Sequence, residues 1–106
     1  MIFICVKWKL KPEYADRWPE LSKDFTDATR AEEGNLFFQW SRSVDDPDEY
    51  VLIEAFRDDA AEAHVTSDHF KAAQRDLPQY VASTPLVRNV LMEGDHWDEL
   101  GEFRID

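Results

Sequence analysis

Apolar and polar residues alternate along the first ten residues of the chain. Every second residue from Ile2 to Leu10 is apolar, and the positions between them hold Phe3 and Cys5 as well as two lysines. A period of two with β-branched residues is typical of a strand. The sequence therefore predicts a strand over residues 1–10 with apolar side chains on both faces.

An amphipathic stripe follows this strand. Apolar residues recur there at spacings of three and four: Tyr14, Trp18, Leu21, Phe25 and Ala28. Pro12 suits the first turn of a helix, whereas Pro19 requires either a bend or a helix that begins near Trp18. Gly34 is predicted to end the helix in the left-handed conformation.

The rest of the pattern contains three more strands. Two of them, over residues 36–41 and 50–57, flank the polar turn at 45–48 and form a predicted hairpin. A short helix over 60–65 precedes a second one that Ser67 caps and Pro78 ends, and the last strand covers 86–92. The order β-α-β-β-α-β is typical of the α+β ferredoxin-like fold.

This fold places both helical segments on one face of the sheet. The first strand is apolar on both faces, so the opposite face also needs cover. A second copy of the same sheet provides that cover most simply. We therefore expect residues 1–92 to form one domain and two such domains to form a homodimer.

Charge is distributed unevenly over the 106 residues, whose formal net charge is −11. Residues 45–62 hold eight acids and one arginine, and residues 93–106 hold six acids and one arginine. Such a chain would be repelled by nucleic acid and by an anionic membrane. A single cysteine and no apolar run long enough to span a membrane favour a cytoplasmic protein.

The last fourteen residues form an acidic extension beyond the predicted sheet. Four apolar side chains are interspersed among its acids: Trp97, Leu100, Phe103 and Ile105. Their spacing predicts that residues 93–106 dock on their own protomer or on its partner.

Few side chains are suited to catalysis. The chain has no glycine-rich phosphate loop, too few cysteines and histidines for a zinc site, and no serine nucleophile elbow. His64 and His69 are the candidate bases, because histidine can take a proton from a phenol or an acidic C–H. On one continuous helix they would point about 140° apart, but a break at 67–68 would let both line one cavity. Alternatively, each ring packs at a helix end.

Aromatic residues are predicted to form the wall of a substrate pocket. Phe38, Trp40 and Phe70 are the candidate wall residues. Lys7 or Arg42 would stabilise a phenolate if either entered the pocket. Alternatively, the rings fill the core and the two cations lie at solvated strand positions.

Three segments of the chain resemble the antibiotic biosynthesis monooxygenase family. They are EEGNL at 32–36, DDPDEYVLIEAF at 45–56 and AHVTSDHFK at 63–71. The resemblance implies a dimeric α+β barrel in which two protomers pack sheet to sheet. It also implies oxidation of a quinol-like or polyketide-type aromatic by molecular oxygen without a metal or other cofactor.

The branches of this family differ in chemistry. In the branch that degrades haem, a Trp, a His and an Asn stand where this chain has His64, Gln74 and Lys7, so haem is not expected as a ligand. Another branch processes a phosphorylated sugar, which the net charge does not favour. Two alternatives remain: a non-catalytic barrel that binds a small molecule, and an oxygen-independent isomerase or lyase of the same fold.

Overall fold

The computed structural model describes residues 1–106 as four strands and five α-helices. The elements in chain order are β1 (Ile2–Lys9), α1 (Pro12–Ala15), α2 (Trp18–Leu21), α3 (Lys23–Arg30), β2 (Asn35–Arg42), β3 (Glu49–Phe56), α4 (Ala61–Val65), α5 (Asp68–Asp76) and β4 (Leu86–Leu91). Two 3₁₀ turns lie at Pro78–Tyr80 and Gly101–Phe103. None of the helices is long and apolar enough to cross a membrane.

The four strands form one antiparallel sheet in the order β2-β3-β1-β4. In its centre Val6 pairs with Leu52 on one side and with Val87 on the other. This order and the helices between the strands confirm the α+β ferredoxin-like fold that the sequence predicts.

The two faces of the sheet have different environments. Trp8, Leu52 and Phe38 belong to the face that packs against the helices, where Trp18 is fully buried. The opposite face holds Phe3 and its cross-strand neighbours on the other strands, because side chains alternate along each strand. This second face is open in the single chain, and its coverage by a second copy stays a prediction.

The first helical region is divided into three short helices. Pro12 lies in the first turn of α1 and Pro19 in the first turn of α2, where a missing N–H is tolerated. A proline inside a continuous helix would lose a hydrogen bond and clash with the preceding turn. The interruption that the sequence suggests at Pro19 therefore becomes a new helix start.

Gly34 does not adopt the left-handed conformation, so that prediction is wrong. Gly94 is the one residue with positive φ, at 86°. At Gly34 the reason for glycine is space, because a Cβ there would lie 2.1 Å from the Cβ of Ala60. The segment before β2 therefore passes directly against the segment that follows β3.

The chain breaks between α4 and α5, as the sequence predicts. The Ser67 hydroxyl accepts a hydrogen bond of 3.2 Å from the N–H of Phe70 and so caps α5. This break changes the direction of the chain between His64 and His69, whose ring centroids lie 5.9 Å apart.

Residues 93–106 contain no strand. The Trp97 ring lies 5.1 Å from the Phe37 ring on the open face of the sheet, although Trp97 is 62% exposed. Leu100, Phe103 and Ile105 are more exposed still. Docking of this segment on its own protomer or on its partner stays a prediction.

Candidate functional site

A cavity of about 770 Å³ lies between the sheet, α4, α5 and the segment that follows α5. Its apolar wall is formed by Ile4, Val6, Trp8, Phe25, Leu52, Val65, Phe70, Ala73, Leu77, Pro78, Val81, Pro85 and Val87. A mainly apolar cavity of this size is typical of sites for small organic molecules.

Six polar residues complete the wall: Glu54, His64, Gln74, Ser83, Thr84 and Asn89. Of these six residues, only Glu54 and His64 are ionisable, and no lysine or arginine lines the cavity. The cavity therefore has an acid and a base but no fixed positive charge.

Glu54 lies at an inward position of β3, between the buried residues Leu52 and Phe56. Its strand neighbours are packed against the helices, so the carboxyl is held where little water reaches it. Burial first, and the charge of Glu32 second, raise the pKa of Glu54 from its ordinary 4.5 to about 7. Near neutral pH both the acid and the carboxylate of Glu54 are therefore populated.

His64 is enclosed by aromatic rings at the end of α4. Its ring stacks on Phe56 with centroids 4.7 Å apart, and Phe70 and Phe25 lie at 5.0 Å and 5.8 Å. Burial lowers the pKa of His64, although hydrogen bonding to Glu32 opposes the shift. The imidazole is thus favoured in its neutral form, which can accept a proton.

One carboxylate oxygen joins the two histidines. Nδ1 of His64 and Nε2 of His69 each lie 2.6 Å from Oε2 of Glu32. A carboxylate oxygen can accept a hydrogen bond from an N–H on each of the two rings. The other nitrogen of His64, Nε2, lies 3.9 Å from Oε1 of Glu54.

The same cluster has the donor types of a transition-metal site. Its three ligand atoms lie within 4.8 Å of one another. Each nitrogen is, however, only 2.6 Å from the shared oxygen, whereas ligands on tetrahedral zinc stand about 3.3 Å apart. Glu32, His64 and His69 are therefore spaced as hydrogen-bond partners, and they would have to separate before an ion could enter.

The aromatic residues predicted for the pocket separate into two groups. Phe70 lines the cavity. Phe38 and Trp40 do not line it and belong to the packed interior, where Phe38 lies against Phe25 and the Trp40 indole donates a hydrogen bond of 2.9 Å to Thr26. Inward-facing positions on β2 are thus filled by core packing rather than opening to the cavity.

The two predicted cations lie outside the cavity wall. Lys7 alternates with inward-facing neighbours, so it lies on the open face of the sheet, 3.7 Å from Glu49. Arg42 pairs with Asp16 at 2.8 Å and donates to the carbonyl of Pro47 at 2.6 Å. Neither cation is placed to stabilise a phenolate in this cavity.

The predicted bases also differ in position. His64 lines the cavity, whereas His69 contacts Glu32 and is absent from the wall. Glu32 and Glu54 were not among the predicted site residues. The detectable signal for Glu54 is an acid at an inward position of an apolar strand, but Glu32 precedes β2 in a polar segment without periodicity.

The model of the antibiotic biosynthesis monooxygenase family matches residues 1–76. The match covers the three segments on which the resemblance rests and confirms it. No curated protein matches the chain.

Solved structures from several bacteria share the fold. A Nitrosomonas europaea protein, provisionally described as an antibiotic biosynthesis monooxygenase, is 22% identical with a TM-score of 0.78, over 87% of this chain and 98% of that one. A Caulobacter crescentus protein with the same provisional description is 24% identical with a TM-score of 0.78, over 92% and 90%. A Bacteroides thetaiotaomicron protein of unknown function is 17% identical with a TM-score of 0.73, over 84% and 94%. At these identities the similarity supports the fold alone.

Proposed function

The chain belongs to the antibiotic biosynthesis monooxygenase family, and on that premise we propose that it oxidises a quinol-like or polyketide-type aromatic with molecular oxygen and without a cofactor. The observation that carries the proposal is the pair formed by Glu54 and His64 at the wall of an apolar cavity. An electron-rich phenolate or carbanion can reduce oxygen itself once a proton has been removed. The protein then needs to bind the substrate, accept its proton and exclude water.

The charges of the cavity support an uncharged substrate. An anionic ligand such as a sugar phosphate would meet Glu54 and find no lysine or arginine on the wall. An aromatic molecule with hydroxyl groups would instead bury its rings against the apolar wall and direct a hydroxyl toward the two ionisable residues. A phosphorylated substrate is therefore disfavoured.

The distance between Glu54 and His64 suits a shared substrate atom. At 3.9 Å the two side chains are too far apart for a direct hydrogen bond, yet a hydroxyl oxygen can lie within hydrogen-bond distance of both. His64 Nε2 then accepts the hydroxyl proton. The resulting imidazolium lies between the carboxylates of Glu32 and Glu54, which stabilise its charge.

The overall reaction is balanced: a ring CH2 group and one O2 molecule give a carbonyl group and one water molecule. His64 accepts the first proton, from the enolic tautomer, and the carbon then bonds to oxygen while reducing it. The proton returns to the peroxide oxygen to form a hydroperoxide. Loss of the second C–H proton breaks the O–O bond, so that one oxygen stays as the carbonyl and the other leaves as water.

We also propose that the working unit is a homodimer. On the open face of the sheet, Leu86 and Val90 are 67% and 49% exposed in the single chain. A second sheet packed on this face would bury Leu86 and Val90. Sedimentation should give twice the chain mass, and a monomeric mass at all concentrations would contradict this proposal.

Oxygen uptake tests the proposed reaction. Protein purified with a chelator is mixed with hydroquinones, naphthohydroquinones and anthrone-type phenols in an oxygen electrode. We expect uptake above the buffer rate that falls by about 100-fold or more in His64→Asn. His96→Asn is the matched control, because His96 lies exposed in the C-terminal segment. No uptake above buffer with any substrate would contradict the proposal.

The same samples under argon distinguish the alternative chemistries. Product formed without oxygen would indicate an isomerase or lyase that uses His64 to move a proton. Saturable binding without product in air or argon would indicate a binding protein. The proposed oxidation requires that product form in air and not under argon.

A further inference from the structure

One oxygen of the Glu32 carboxylate lies within hydrogen-bond distance of both imidazole rings, but Glu32 does not line the cavity. It is connected to the cavity through His64 alone. Exposure increases outward along this series, from 4% for the His64 side chain to 16% for Glu32 and 24% for His69. Glu32 is therefore a partly buried contact of the base and not a contact of the substrate.

We propose that Glu32 is a positioning residue, which holds His64 with Nδ1 protonated and Nε2 free toward Glu54 and the cavity, and that His69 in turn fixes Glu32. The inference rests on the proposed function, because it assigns how the base of that reaction is prepared. His69 is then a support for the site and not the base itself.

The choice of tautomer decides whether His64 can act. A neutral imidazole has one N–H and one free electron pair, and it can exchange between its two tautomers. If Nε2 carried the proton, the nitrogen facing the cavity would have no electron pair for a substrate proton. A hydrogen bond from Nδ1–H to a carboxylate removes this freedom, as in other sites where one histidine nitrogen is fixed so that the other can react.

His69 supplies the second constraint. Glu32 lies in the segment between α3 and β2, outside any regular element, so its carboxylate needs a contact that fixes its rotamer. The Nε2–H of His69 provides that contact from the first turn of α5, which Ser67 caps. The break between α4 and α5 thus places both histidines on one acceptor.

The tautomer can be read directly without any substrate. The chain has three histidines, so a two-bond nitrogen–proton correlation spectrum of isotope-labelled protein contains few signals, and those lost in His64→Asn identify His64. At about pH 8, where an unperturbed histidine is neutral, we expect protonated Nδ1 and unprotonated Nε2. Protonated Nε2 in the unmodified protein would overturn the proposal, and this reading needs no further variant.

Variants at Glu32 extend the test. Glu32→Ala should allow the Nε2–H tautomer of His64 to appear, whereas Glu33→Ala should leave the spectrum unchanged, because Glu33 is the exposed neighbour. Glu32→Leu, which keeps side-chain bulk and cannot accept a hydrogen bond, replaces Glu32→Ala if the latter does not fold. An unchanged tautomer of His64 in a folded variant that lacks the Glu32 acceptor would overturn the assignment.

Kinetics separates positioning from a purely structural role. With a substrate that the enzyme oxidises, Glu32→Ala should lower kcat by about 10-fold to 100-fold and leave KM nearly unchanged, because Glu32 does not line the cavity. Glu32→Asp should restore part of kcat. Equal kcat in Glu32→Ala and the unmodified enzyme would overturn the proposal. Absence of oxygen uptake by the unmodified protein would contradict the proposed function instead, and the tautomer would still decide the role of Glu32.

Discussion

Glu54→Gln should stabilise the protein above neutral pH and have little effect in acid. Burial and the charge of Glu32 raise the pKa of the Glu54 carboxyl from 4.5 to about 7. Below the lower value, both the folded and the unfolded chain carry a neutral carboxyl. As pH rises through this interval, the unfolded chain loses its proton first, so the folded state loses stability relative to it.

The size of this effect follows from the same interval. At about 1.4 kcal/mol per pH unit, the rise from 4.5 to about 7 corresponds to about 3 kcal/mol of stability lost once the pH exceeds 7. Glutamine has nearly the same shape and no charge, so Glu54→Gln avoids this loss. The variant should therefore be about 3 kcal/mol more stable than the unmodified protein at high pH, while its oxidation rate falls.

Urea unfolding measures this difference at a series of pH values from about 4.5 to about 8.5, at one protein concentration. The advantage of Glu54→Gln should be small at the acid end, grow toward neutrality and become constant above it. Glu99→Gln in the exposed C-terminal segment is the control and should show no such growth. A difference that stays constant with pH, or that favours the unmodified protein at high pH, would refute the reasoning.

Three further predictions concern the stability of the fold. Gly34→Ala should destabilise the protein by about 1–3 kcal/mol, because the added Cβ would overlap the side chain of Ala60. A Cβ added at Gly101 has no neighbouring atom within 4 Å, so Gly101→Ala is the control. Equal urea midpoints for the two variants would contradict this prediction. Ser67→Ala should remove the cap of α5 and lower stability by about 1 kcal/mol, and an unchanged unfolding free energy would count against the cap. Deletion of residues 93–106 removes the contact of Trp97 with Phe37 and should lower Tm or weaken association, so an unchanged melt with unchanged mass would refute a docking role.

The fold could be predicted from the sequence because its signals are local. Period-two alternation, the polar turn at 45–48 and the Ser67 cap each depend on a few neighbouring residues. Gly34 shows where such signals fail, because its role is set by Ala60, which is distant in sequence. The division of the first helical region could be predicted in part from Pro19, but a stripe of apolar residues does not show where one short helix ends and the next begins.

The site was less predictable because it is made by contacts between segments. His64 could be chosen by residue type, and the break at 67–68 indicated how His69 could approach it. Its partners Glu32 and Glu54 come from two other segments, and only the folded chain brings them together. The charge of Lys7 on a strand suggests a role in the pocket, but alternation of side chains places it on the face away from the cavity.

Isotope-labelled dioxygen tests the central claim most directly. Metal-free protein is incubated with the substrate that gives the fastest oxygen uptake, and the label in the product is measured by mass spectrometry. The account predicts one labelled oxygen atom in the product carbonyl and the other in water, with incorporation lost in His64→Asn. A product that carries no label, or that forms equally fast without oxygen, would contradict it.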